Sequence, residues 1–156
     1  MRAKVAFTVS IALVAACSKT PETRNAARAA DSSRAPVDWV VTGHRIPGVS
    51  AMSDSEAVKW HGHIIHLAPD IAISGADTCA KPAYVMTDTG ADSVLAATFH
   101  VSAAELGVDS SRVRIGQVMC DAGAWMTMGG TVVWIADDHG FAPWNGVFFE
   151  LRPAPR

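Results

Sequence analysis

Residues 131–151 read TVVWIADDHGFAPWNGVFFEL, and this stretch decides the fold. Thr131 to Ala136 is rich in β-branched and aromatic residues, and Asp137-Asp138-His139-Gly140 is turn chemistry. Phe141 to Trp144 runs back, and Asn145-Gly146 is a strong two-residue hairpin signal before Val147 to Leu151. Side chains alternate sides along a strand, so Trp144, Val147, Phe149 and Leu151 share a core-facing side. Phe148 and Glu150 fall on the other face. Immediately upstream, Arg112 to Cys120 alternates in the same way, with Val113, Ile115, Gln117 and Met119 on one side. Gly129-Gly130 reads as the corner between these two stretches.

Working back toward the N-terminus, Val37 to Val41, Gly62 to Leu67, Ile71 to Ile73 and Ala83 to Thr87 read as further strands. Ser53 and Glu56 have the spacing of a capping box, which predicts a short helix over Asp54 to Trp60. Ser102 and Glu105 repeat that spacing, with Gly107 as the stop. Ser93 to His100 fits either a strand or a helical turn. Seven or eight short strands in about 115 residues predict a mainly β, small antiparallel β-barrel-like domain with one or two short helices.

The length of 156 residues allows one such domain, placed over residues 37–156. Hydrophobic residues make up 49% of the chain, too many for a wholly disordered protein. The net charge of −2 offers no basic field, so nucleic acid is not an expected partner.

Residues 1–16 read as an export signal, with Arg2 and Lys4 ahead of the apolar run Val5 to Val14. Leu13-Val14-Ala15-Ala16-Cys17 resembles a bacterial lipobox. That resemblance implies lipidation of Cys17, membrane anchoring through the acyl chains and, with Ser18 next, sorting to the outer membrane facing the periplasm. Residues 18–36 hold four basic and two acidic residues and no bulky apolar one, which predicts a flexible tether. With Cys17 lipidated, Cys79 and Cys120 remain. In an oxidising compartment their simplest fate is one disulfide.

Few residues announce chemistry. His61 and His63 in WHGHIIH would share a strand face and offer two imidazoles to a metal. His100, His139 or Asp70 would have to complete such a site, and half-exposed strand residues are the commoner origin of such a pair. Neither H-E-x-x-H nor G-x-S-x-G occurs, so no catalytic residue and no cofactor is expected. Trp125 and Met126 sit in a segment without clean alternation and are the candidate rim of a site for a small apolar ligand.

Three phrases carry a family resemblance: Pro47 to Ala57 (PGVSAMSDSEA), Asp77 to Tyr84 (DTCAKPAY) and Trp144 to Leu151 (WNGVFFEL). Through them the chain resembles a family of small bacterial secreted proteins and lipoproteins without assigned function. The last phrase corresponds to a terminal W-[DN]-G-V-[FY]-F-E-L, with Asn145 where the family often has Asp. A likeness to lipocalin-like barrels is only general. The resemblance implies a periplasm-facing β-domain and brings no reaction with it. The expected function is non-enzymatic binding of a small apolar ligand or an envelope component. An inhibitor or interaction module against a cell-wall enzyme is the first alternative, and a metal-dependent envelope enzyme the second.

Overall fold

A computed structural model describes residues 37–155. The expected signal (1–16), Cys17 and the tether to residue 36 lie outside the described residues. The elements are β1 (Val37–Arg45), α1 (Asp54–Ala57) with a 3-10 turn (Val58–Trp60), β2 (Ile64–Leu67), β3 (Ile71–Ser74) and β4 (Asp77–Ala80). Then come β5 (Ala83–Gly90), α2 (Ala91–Val94) with a π turn (Leu95–Phe99), β6 (Arg112–Cys120) and β7 (Gly123–Ala124). β8 (Thr131–Ala136), β9 (His139–Trp144) and β10 (Val147–Pro153) complete the chain. All strand pairs are antiparallel, in the order β4-β3-β2-β1-β10-β9-β8-β6-β5, with β7 against the end of β6.

This sheet is curled into a half-barrel. Trp39 on β1 and Trp134 on β8 are three strand steps apart, which is about 14 Å on a flat sheet. Their ring centroids are nevertheless 4.3 Å apart. The inside of the curl is packed with Trp39, Val41, Ile65, Met128, Val132 and Phe149. A Cβ on Gly129 would sit 2.7 Å from the Ile65 side chain, so the space between β2 and the start of β8 is already taken.

The two ends of the sheet meet at one corner. Lys81 and Pro82 alone link β4, at one end of the strand order, to β5 at the other, a span of at most about 11 Å. The predicted disulfide is formed there, joining Cys79 on β4 to Cys120 on β6. Ala72, Cys79 and Val118 make a small buried cluster under this seam, flanked by Tyr84 and Trp125. The Tyr84 hydroxyl donates to the Ala68 carbonyl oxygen at 2.7 Å.

Burial, with Asp70 adding to it, pushes the Tyr84 phenol up from 10.0 to about 12. The folded chain therefore keeps a proton that the unfolded chain loses above pH 10, and stability falls as pH rises from 10 toward 12. Tyr84→Phe is expected to remove that alkaline slope in urea midpoints measured across pH 7–11. At neutral pH it should cost about 1 kcal/mol for the lost hydrogen bond.

The outer face is buried as well, where β6, β8, β9 and β10 lie beneath the α2–π turn and the loop after it. Leu95, Leu106, Val113, Val133, Phe141 and Phe148 form this second core. It corrects the sequence reading of Phe148, which is 3% exposed rather than turned away from a core. The ambiguous stretch Ser93–His100 is helical, with His100 closing it at φ 59°. The capping box of Ser53 and Glu56 is complete and holds the Glu56 carboxyl below its ordinary range through the Ser53 hydrogen bonds. The Ser102–Glu105 bonds also form, but over hydrogen-bonded turns rather than a helix.

Two further readings change. β4 is absent from the sequence reading, because Asp77 and Ala80 disfavour a strand and leave Thr78 too little support. Pairing with β3 across a turn that begins at Gly75 (φ +61°) makes it a strand. The expected strand Gly62–Leu67 starts only at Ile64. The 3-10 turn runs to Trp60, Gly62 takes φ +83°, and its N–H donates to the Val41 carbonyl oxygen at 2.8 Å.

Candidate functional site

That turn separates the two histidines singled out from the sequence. His61 and His63 do not share a strand face. His63 turns inward, with Nε2 3.1 Å from the Ser74 hydroxyl and its ring edge-on to Trp60. Burial lowers its affinity for a proton. His61 instead meets His44 of β1, with Nε2 2.9 Å from His44 Nδ1. His44 Nε2 is 2.9 Å from Asp54 Oδ1 at the start of α1.

A carboxylate only accepts, so His44 Nε2 carries the hydrogen and donates to Asp54. In the tautomer with its one ring hydrogen on Nε2, His44 accepts at Nδ1, and His61 Nε2–H is the donor to it. The result is an ordered chain, Asp54–His44–His61, that sequence spacing did not pair. The one signal for it was the H in VTGHR, seventeen positions before His61, which only the pairing of β1 with the turn makes meaningful.

The other suggested ligands stay apart. His100 is exposed after the π turn, Asp70 lies between β2 and β3, and His139 Nε2 faces Glu150 Oε1 at 2.8 Å. Burial and the nearby Arg152 keep His139 below its ordinary range, outweighing the pull of Glu150. Among the described residues no group of three or more His, Cys, Asp and Glu side chains is placed to hold a metal ion.

Of the proposed apolar rim, Met126 is 81% exposed. Trp125 is half-buried against the seam cluster, so it belongs to the structure that carries the disulfide rather than to an open rim.

Two surface concavities stand out, and both open to solvent. One of about 440 Å³ runs past Asp92, Ala96 and His100. The other, about 300 Å³, lies between the π turn and the outer face of β5 and β6, where Phe99, Val94, Val85 and Ile115 supply apolar wall and Thr87 and Gln117 polar groups.

Beside this groove β5 forms one edge of the sheet. It pairs with β6 over eight consecutive residues without a bulge, and among the described residues pairs with no other strand. Natural edges are usually blunted by charge, proline, bulges or short length. β4, the opposite edge, is four residues long, begins with Asp77 and is stapled by the disulfide. β5 has Pro82 before it and Asp88, paired with Arg114 at 3.0 Å, near its end. The stretch Ala83 to Thr87 between them is uncharged, with Val85 and Met86 about half exposed. Met86 lies over Gly116, where a Cβ would come within 3.0 Å of its sulfur.

No match was found. Family models, curated proteins and solved structures were all compared with the chain. No described helix is long and apolar enough to cross a membrane.

Proposed function

We propose that the chain is a lipid-anchored protein of the bacterial cell envelope whose domain docks another envelope protein by adding one of that protein's strands to β5. The observation that carries this is the uncharged, unbulged edge from Ala83 to Thr87 beside an open groove. Main-chain hydrogen bonds along such an edge supply affinity, and side chains of the added strand that point into the groove supply selectivity. The packed interior of the curl favours this over a lipocalin-like cavity. A small apolar ligand is the second reading, supported by the 300 Å³ groove against Phe99 and Ile115. The lipid anchor on Cys17 rests on the lipobox resemblance and on the phrases shared with small bacterial lipoproteins.

Photo-crosslinking in the native envelope tests the docking surface. A crosslinker at Met86 is expected to trap one discrete partner protein. The same group at Val58, about equally exposed on the 3-10 turn after α1, is expected to trap none. Val85→Lys should reduce the Met86 product at least tenfold, because a lysine on the edge opposes strand addition. Equal products at both positions would overturn the docking surface. For the anchor, Cys17→Ala should move the protein from the membrane to the soluble fraction; unchanged retention would overturn it.

A further inference from the structure

The free edge of β5 is complementary to itself. Hydrogen-bonding direction alternates along a strand, and the ladder on the far side of β6 fixes its phase. Val118 turns its backbone away from β5: its N–H donates to the Gly130 carbonyl oxygen at 2.8 Å, and its carbonyl oxygen accepts from the Trp125 N–H at 2.9 Å. Met119, Gln117, Ile115 and Val113 therefore face β5 and bond to Ala83, Val85, Thr87 and Thr89, their partners in register. The Ala91 N–H on the Ser111 carbonyl oxygen at 3.0 Å continues that phase. Tyr84, Met86 and Asp88 are left with N–H and C=O groups pointing off the sheet. Pro82, next in the same phase, has no N–H and ends the edge.

We propose that, without its partner, the chain closes this edge on a second copy, the two β5 strands running antiparallel across a two-fold axis at Met86, and that the partner's strand docks by displacing that copy. The inference rests on β5 being a docking edge. About Met86 the free groups match. Tyr84 faces Asp88 of the second copy, Met86 faces Met86, and Asp88 faces Tyr84. Each such pair exchanges two main-chain hydrogen bonds, about six in all.

Side chains and charges fit the same register. On the outer face Val85 lies opposite Thr87 of the second copy, twice, and β-branched residues directly opposite make favourable cross-strand pairs. On the inner face Asp88 keeps its own Arg114 at 3.0 Å and meets a tyrosine rather than a like charge. At both ends exposed Lys81, opposite Ala91 of the second copy, comes beside exposed Asp92. Neighbouring registers are poorer. An axis at Val85 sets Asp88 against Pro82, which lacks a donor, and an axis at Thr87 puts two Asp88 carboxylates in diagonal positions. An open edge is a template for uncontrolled pairing, and a two-fold contact uses up the same edge on both copies, so growth stops at two.

Cysteine substitutions in the purified full chain read the register. Facing residues have Cα atoms about 5.5 Å apart in a hydrogen-bonded pair and about 4.5 Å in the other kind, both within a disulfide's reach, whereas diagonal neighbours at about 8 Å are not. On mild oxidation Met86→Cys is expected to form a covalent dimer at a yield at least about tenfold above that of Val58→Cys. Val85→Cys and Thr87→Cys should each stay monomeric alone and form the heterodimer when mixed. Adding Met86→Lys to both sets two ammonium groups against each other on the axis and should abolish that heterodimer. Equal yields from Met86→Cys and Val58→Cys, or Val85→Cys joining itself as readily as Thr87→Cys, would overturn self-pairing. A monomeric Met86→Cys, with a different protein trapped at Met86 in the envelope, would sink self-pairing and leave the docking edge standing. A self-adduct as the sole envelope product would do the reverse. Circular dichroism of each variant verifies that it folds.

Discussion

Replacing Cys79 and Cys120 together by alanine is expected to lower the stability of the domain by about 4 kcal/mol. The bond closes a chain separation of 41 residues, and the entropy that a cross-link removes from the unfolded chain at that length has about this value. Alanine avoids placing a hydroxyl in the buried seam, so lost cross-linking dominates the result. For a domain of this size the melting temperature should fall by roughly 15 °C. The position of the bond adds a second expectation. It joins β4, at one end of the strand order, to β6, next to the strand at the other end, so nothing along the β ladder replaces it. What remains at the corner is the Tyr84 hydroxyl on Ala68, the Lys81 N–H on the Asp70 carbonyl at 2.8 Å, and the Thr127 hydroxyl on Asp77 at 2.8 Å. Amide exchange in the double variant should therefore quicken first in β4 and β5, while β9 and β10 keep their protection. A loss below about 1 kcal/mol in urea unfolding would show that the curl holds without its staple.

The disulfide was legible in the sequence because, with Cys17 read as lipidated, two cysteines remain, and their simplest fate in an oxidising compartment is one bond. The C-terminal hairpins were legible because Asn145-Gly146 and the alternation around it are local signals: Asn145 and Gly146 take φ 52° and 80°, as a two-residue hairpin turn of this kind requires. The histidine pair was not legible. His44 and His61 meet because β1 pairs with β2 and Gly62 bonds back to Val41, contacts set by the register of distant segments. The same holds for β4, where Asp77 and Ala80 disfavour a strand and the ladder offered by β3 makes it one. The open β5 edge is a property of strand order, and no window of sequence contains it.

Phe148 makes the sharpest test of how the two faces are built. Period-two alternation puts it opposite Phe149, with Glu150, and an exposed phenylalanine there would be replaced at a cost within about 0.5 kcal/mol. In the folded chain both neighbours are buried, in different cores. Phe148 meets the Phe99 ring edge-on at 5.5 Å and Phe141 at 6.4 Å. Phe148→Ala is therefore expected to cost about 3–5 kcal/mol, as much as Phe149→Ala, measured by urea unfolding. The consequences should differ in place. Loss of Phe149 empties the inside of the curl, against Trp60 and His44. Loss of Phe148 removes a principal contact that holds the π turn to the sheet, and Phe99 of that turn is also a wall of the groove beside β5. Phe148→Ala should thus speed amide exchange across residues 91–108 and reduce crosslinking through Met86, even at temperatures where the strands remain paired. If Phe148→Ala costs less than about 1 kcal/mol while Phe149→Ala costs its full 3–5, the helical cover is not a second core, and the groove it walls loses its support.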